Sequence, residues 1–433
     1  MPSLLRVLCI AWIALSIVAS TAINAIAQLR GHGGPVRALA VSQDGDTVLS
    51  GSFDQSGIIW SLARGAAKRV LRFHEGAVNA VAILPDGHLV TAGEDGRIAI
   101  WRTDVERPER ILEGHSAPIV ALALSPDGTM LASASWDRTI RLWPVAGDAP
   151  TRVLEGHQQN VNAVAFAPDG LTIVSAGYDA TVRIWPLNDM GAPIVTTLPS
   201  PLNALAIARN GEIIAAGVDG KLYFFSAAGA LRDTIEISSS SVIALAVSGD
   251  GRLAAASGIR GAVAVIDRQS RKRVQTLVGP GLPVWSLAFL PDHQTLLTGG
   301  TDRIIRRWDA PSGELFGSGV AIASHDPLAA YAGDHGAEVF RACVACHTLA
   351  HDEGNRAGPS LHGVFGRQIA TLPGYNYSEP LRHMNIVWSR ETIAKLFEIG
   401  PNTYTPGTKM PEQRIGSPQD RDALVQFLER ATK

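Results

Sequence analysis

The sequence predicts two unlike domains, an all-β repeat domain over residues 28–318 and a small all-α domain over residues 336–433. Three observations predict them. A large apolar residue, usually tryptophan, recurs about every 41 residues from Trp60 to Trp308. Two of the three cysteines sit three apart beside a histidine near the C-terminus, and helical spacing of apolar residues is confined to that end. The 433-residue chain is 46% hydrophobic and 18% charged, which excludes wholesale disorder. A formal charge of −2 argues against a nucleic-acid binder, which carries a basic surplus. Three cysteines cannot staple a disulfide scaffold.

Residues 1–27 read as a signal peptide. Arg6 gives a positive start, an apolar run follows from Val7 to about Ala19, and Ala25-Ile26-Ala27 fits a small-x-small cleavage site. The run is shorter than the ~20 residues that span a bilayer; an uncleaved anchor is the alternative. Cleavage after Ala27 removes Cys9 and delivers the chain to the periplasm.

The repeat follows. Trp60, Trp101, Trp143 and Trp185 are spaced 41, 42 and 42 apart, and the count continues onto Phe225, Ile266 and Trp308. An aspartate precedes the marker by six residues in every period but the sixth, where Arg260 stands. Asp-Gly or Asn-Gly pairs lie 15 or 16 residues before it in six periods, and Asp292-His293 in the seventh. Such pairs make tight hairpin turns, because glycine tolerates positive φ. Alternating apolar stretches such as VNAVAFA flank them, so each period reads as short antiparallel strands. GELFGSG, residues 313–319, is expected to supply the last strand.

Residues 29–318 resemble the WD-repeat family. Gly31-His32, Gly114-His115 and Gly156-His157 match its Gly-His dipeptide, Phe73-His74 only the histidine, and Trp308-Asp309 its literal Trp-Asp. The resemblance implies a seven-bladed β-propeller, with a bonded tetrad in each complete blade: His115, Ser133, Asp137 and Trp143 in blade three. Blades five to seven lack the histidine, and blade six also the aspartate and the aromatic residue; these blades are expected to be less rigid. The tetrads account for His32, His74, His115 and His157, His88 and His293 sit in turn segments, and no metal-ligand spacing or catalytic cluster occurs in the propeller. In this family the residue before the tetrad aspartate projects from the loop face, which here means Phe53, Glu94, Trp136, Tyr178, Val218, Ile259 and Thr301. A second ring, 22 or 23 residues before the marker, includes Arg37, Asn79, Asn162, Asn203 and Trp285. Phe53, Trp136, Tyr178 and Trp285, with Arg37, are the expected partner-binding residues, since aromatics and arginine anchor interfaces.

Residues 319–335 read as a linker. After it, Cys343-Val344-Ala345-Cys346-His347 is a C-x-x-C-H haem attachment motif. Two thiols one turn apart add to the two vinyl groups of one haem c, and the next histidine is then held at the iron. Leu424, Phe427 and Leu428 at i, i+3, i+4 predict a closing helix. AGPSLHGVFGR, PGYNYSEPLRHMNIVW and PGTKM closely resemble the small cytochromes c, over 98 residues from Gly336 to Lys433. The resemblance implies thioethers at Cys343 and Cys346, His347 as proximal and Met410 as distal iron ligand, Pro359 accepting from His347, and Arg367, Tyr377 and Trp388 beside the haem propionates. Phe340 and Phe427 should meet where the first and last helices cross. Met384 is the alternative methionine, but it precedes the matched Trp388, where the family has no ligand.

The match has departures. One extra residue lies near Ile399-Gly400, Leu396 replaces a tyrosine, and Leu381 replaces a buried polar residue. An apolar pocket disfavours the more positive oxidised centre and should raise the potential; Pro411 after the ligand could act in the opposite sense. Residues 336–433 hold eleven Lys/Arg and ten Asp/Glu with only three lysines, so electrostatic steering should be weak. The reading is a periplasmic, non-enzymatic electron carrier whose propeller docks it to a redox protein or a membrane respiratory complex, touching a membrane only through that partner. Alternatives are a haem-fed oxidoreductase with its catalytic site in the propeller, and a redox-sensing interaction protein.

Overall fold

The computed structural model describes residues 28–433 apart from 148–150, 189–190, 280, 317–327, 342, 351–354, 356–357, 376, 409 and 411–412. The expected signal peptide, most of the expected linker and Pro411 lie outside the described residues.

Seven four-stranded antiparallel sheets form the N-terminal part. Blade one contains Val36–Val41, Thr47–Ser52, Ser56–Ser61 and Ala66–Arg72, from the inner strand to the outer. Its first hairpin turns at Gly45, where φ is 76°. The same turn recurs through blade seven, where His293 takes φ 65° in place of glycine. The tetrads bind the strands of a blade together. In blade three the Trp143 indole donates to Ser133 Oγ at 2.8 Å, Ser133 Oγ lies 2.7 Å from His115 Nε2, and His115 Nδ1 lies 2.7 Å from Asp137 Oδ2. Blades one, two and four repeat the chain, with Thr91 as the hydroxyl in blade two. Blade five, without a histidine, lets Tyr223 donate to Asp219 at 2.6 Å. Blade seven keeps the Trp308–Thr298 bond at 3.0 Å and pairs Asp302 with Arg306.

The last blade corrects one expectation. Its outer strand is Gln28–Arg30, which pairs with Ile304–Asp309 from Gln28 opposite Arg306 to Arg30 opposite Ile304. The described part of GELFGSG, residues 313–316, contributes a bridge from Leu315 to Trp308. The sequence repeat begins on one blade's outer strand and ends on the next blade's third, so the strand left over at the N-terminus closes the ring.

The C-terminal domain is helical: α1 (His335–Phe340), α2 (Glu379–Arg382), α3 (Arg390–Ile399), α4 (Pro401–Tyr404) and α5 (Pro418–Ala431). Asp334 caps α1 by accepting from the Ala337 N–H, Ser389 and Thr392 form a capping box on α3, and Ser417 caps α5. α1 crosses α5 closely. A Cβ on Gly336 would lie 2.1 Å from the Ala423 carbonyl oxygen, so only glycine fits. At the crossing Phe340 and Phe427 stack at 5.4 Å, as expected, and both are fully buried. Tyr331 sets its ring edge-on to Phe427 at 5.0 Å, and Leu328 is 1% exposed in the same core. These two residues, assigned to the linker, therefore belong to the packed domain.

Candidate haem site

Cys343–Ala345 form a single 3-10 turn. The Cys346 and His347 N–H groups both donate to the Cys343 carbonyl, at 3.1 and 2.9 Å. This turn brings both thiols and the imidazole onto one wall of a cavity of about 1140 Å³, counted to its open mouth. Both cysteines are buried and outside any disulfide, and burial pushes the Cys343 thiol up to about 12, with Cys346 adding to the effect. His347 Nδ1 lies 2.7 Å from the Pro359 carbonyl oxygen, which fixes the ring and leaves Nε2 as the ring nitrogen available to a ligand. Burial lowers the His347 pKa against the opposing Pro359 bond, keeping the imidazole neutral. A Cβ on Gly358 would lie 2.4 Å from His347 Cε1, so the glycine makes room for the ring.

Met410, Arg367, Tyr377 and Trp388 line the same cavity, as do Leu381 and Leu396, each 8% exposed. All eight residues assigned to the haem by the sequence thus converge on one space. Met384 is absent from its lining, which favours Met410. Arg367 is tied to its own chain: its two Nη atoms donate to the carbonyls of Ser360 (2.9 Å) and His362 (3.0 Å), the segment that follows Pro359. Tyr375, which meets Tyr377 edge-on at 4.7 Å, and Thr405 and Thr408 also line the cavity, although the sequence did not single them out. Val70 was equally unforeseen, since it belongs to blade one of the propeller. The two buried thiols outside any disulfide, the oriented imidazole, the thioether and the apolar lining fit a covalently held haem.

The residues of the expected partner face fall into two groups. Phe53, Trp136 and Tyr178 are 45, 45 and 39% exposed, and the equivalent Val218 and Ile259 are also exposed. Their backbone N–H groups are pinned to the carbonyls of Pro35, Pro118, Asn160, Pro201 and Ser241, so the side chains face outward. The second ring is different. A β-bulge interrupts the inner strand of every blade at that position. The extra residues Asn79, Asn162 and Asn203 donate to carbonyls of the next blade, at 3.2, 2.9 and 2.7 Å, and so join neighbouring blades. Trp285 and Arg37 are half-buried rather than free. Trp285 donates to Thr301 Oγ1 at 2.9 Å, lies 6.3 Å from the Phe53 ring and has the Arg37 guanidinium 5.6 Å from its ring centre.

Among the described residues, no group of three or more His, Cys, Asp or Glu could hold a metal ion, and no helix is long and apolar enough to cross a membrane.

The WD domain, G-beta repeat family matches residues 23–61, 65–102, 106–144, 148–186 and 271–309. These stretches skip residues 187–270, the region of the incomplete tetrads of blades five and six. The cytochrome c family matches residues 333–432. Cytochrome c of Cochliobolus lunatus is 42% identical over 99 residues, 23% of this chain and 91% of the relative. Cytochrome c of Arabidopsis thaliana is 42% identical over 99 residues, covering 23% and 88%. Cytochrome c of Stellaria longipes is 39% identical over 99 residues, covering 23% and 91%.

Proposed function

We propose, because the chain belongs to the cytochrome c family through its C-terminal domain, that it is a periplasmic one-electron carrier docked to its redox partner by the propeller. The observation that carries this reading is the meeting of His347 and Met410 in one apolar cavity that Cys343 and Cys346 also line. A bound haem c supplies an Fe(II)/Fe(III) couple. Around it, His347 serves as the proximal ligand with its ring held by the Pro359 carbonyl, and Met410 as the distal ligand. Held by His347 and Met410, the iron would have a raised potential and would offer no coordination site to a substrate. The apolar side chains of Leu381 and Leu396 exclude water and disfavour added charge. The leader read in residues 1–27 supports export. Potentiometric titration of the full-length haem protein is expected to follow a one-electron curve, with no carbon monoxide binding to the ferrous form. Rapid carbon monoxide binding would show an open coordination site and defeat the carrier reading.

The exposed ring of Phe53, Trp136 and Tyr178 supports the docking role. The partner is a redox protein or a membrane respiratory complex. Replacing all three with alanine is expected to weaken binding to the electron acceptor at least about tenfold, since single aromatic anchors are often worth ~2 kcal/mol. The haem potential should not move. Surface plasmon resonance against that acceptor checks this, and unchanged affinity assigns docking to another surface.

A further inference from the structure

The outer strands of the propeller can be compared position by position. Val70 of blade one stands opposite Ile58; Ile111, Val153 and Val195 hold the same position in blades two, three and four. The latter three are 47, 37 and 45% exposed, whereas Val70 is 8% exposed. The C-terminal domain makes the difference: Val70 lines the cavity of the proposed haem site and shares an apolar cluster with Leu29 and Cys346.

Charge changes in step with this contact. The residue two before the tetrad histidine is Arg30, Arg72, Glu113 and Glu155 in four successive repeats. Both glutamates are exposed. The two arginines end the strands Gln28–Arg30 and Ala66–Arg72, which pack against the C-x-x-C-H turn. Arg72 donates through Nη1 to the Met410 carbonyl, across 338 residues of chain. Three residues after Met410, Gln413 Nε2 donates to the Gly31 carbonyl at 2.9 Å. Within its own domain the described ties of the Met410 segment include Met410 N–H to Thr408 Oγ1 at 3.1 Å and Ile415 N–H to the Phe397 carbonyl at 2.9 Å.

We propose that blade one is part of the haem site. Arg72 is a positioning residue that holds the Met410 loop by its carbonyl, and Val70 completes the cavity wall. Distal ligation therefore depends on a domain far away in sequence. This rests on the reading of Met410 as the distal ligand. A thioether is a weak neutral donor, so its hold depends on how well the loop presents it. A charge-assisted bond to the loop carbonyl lowers the freedom of the sulfur to leave.

The test uses the full-length haem protein. Arg72→Glu places in blade one the residue that blades two and three already carry at this register, so the strand accommodates it. In the ferric protein its methionine-to-iron absorption band is expected to weaken. Imidazole should displace Met410 with about tenfold higher affinity, equivalent to ~1.4 kcal/mol. Arg72→Lys, which keeps a charged donor, should restore the band, and Glu113→Arg should behave as wild type. An Arg72→Glu protein with wild-type band and imidazole affinity overturns the proposal. A wild-type protein without the band overturns the ligation reading, and the proposal with it.

Discussion

Met410→Ala is expected to keep its haem, held through Cys343 and Cys346, while its midpoint potential falls by a tenth of a volt or more, within the range of about 0.8 V that axial ligation spans. The argument starts from the donor. Methionine sulfur is neutral and soft, and it favours the less charged ferrous state. Without it, water or hydroxide takes the distal position and stabilises the ferric state. The cavity offers little else as a replacement: Leu381 and Leu396 are apolar, and Thr405 and Thr408 present only hydroxyl oxygens. The ferrous variant should therefore also bind carbon monoxide. Potentiometry and a carbon monoxide difference spectrum read the two effects. An unchanged potential would remove Met410 from the iron and reopen the case for Met384, despite its place outside the cavity lining.

Much of this molecule can be read along the chain because its information is local. The tetrad of blade three lies between His115 and Trp143, and each member is a residue type with a fixed hydrogen-bonding role. The C-x-x-C-H turn is five residues, and it closes on its own Cys343 carbonyl. The closing strand was misplaced because the sequence period and the blade are out of phase, so seven markers do not say which end supplies the last strand. The bulge ring was visible as positions, but not its consequence. An asparagine that reaches a neighbouring blade's carbonyl and one that faces a partner have the same sequence. Val70 and Arg72 could not be assigned at all. Their partners lie in another domain, and nothing local distinguishes a valine that stays in water from one covered by the haem crevice. The change from arginine to glutamate along the repeats was present in the sequence, but it acquires meaning only once two of the four strands are seen to meet the C-terminal domain.

The same local logic makes Asp137→Ala the most damaging single change expected in the propeller. Asp137 accepts from His115 at 2.7 Å, from the Thr139 hydroxyl at 2.7 Å and from the backbone N–H groups of Thr139 and Ser116 at 2.9 and 3.2 Å. Removing it strands several donors in a closed space, at a cost of ~3 kcal/mol if each buried loss contributes about 1 kcal/mol or more. Trp143→Phe removes a single donor to Ser133 and should cost ~1 kcal/mol. Burial works to raise the Asp137 carboxyl, but the bonds from His115 and Thr139 outweigh it and hold the group well below the usual carboxylate range. Such a depressed carboxyl stabilises the fold at every pH above its unfolded value of 3.8, and the contribution disappears as pH falls through the folded value. The deficit of Asp137→Ala relative to wild type should therefore be full at neutral pH and shrink in strong acid. His157 acts earlier in an acid titration. Burial lowers its pKa against the pull of Asp179, so the unfolded chain takes up a proton near 6.5 that the folded blade resists. Wild-type propeller stability should thus begin to decline below about pH 6.5, before any carboxylate titrates. Thermal unfolding followed by far-ultraviolet circular dichroism from pH 8 into strong acid at about pH 1.5, well past the unfolded carboxylate value, measures both trends. A wild-type midpoint that stays flat down to pH 4, or a constant deficit for Asp137→Ala down to the lowest pH, would contradict the assignment of these groups.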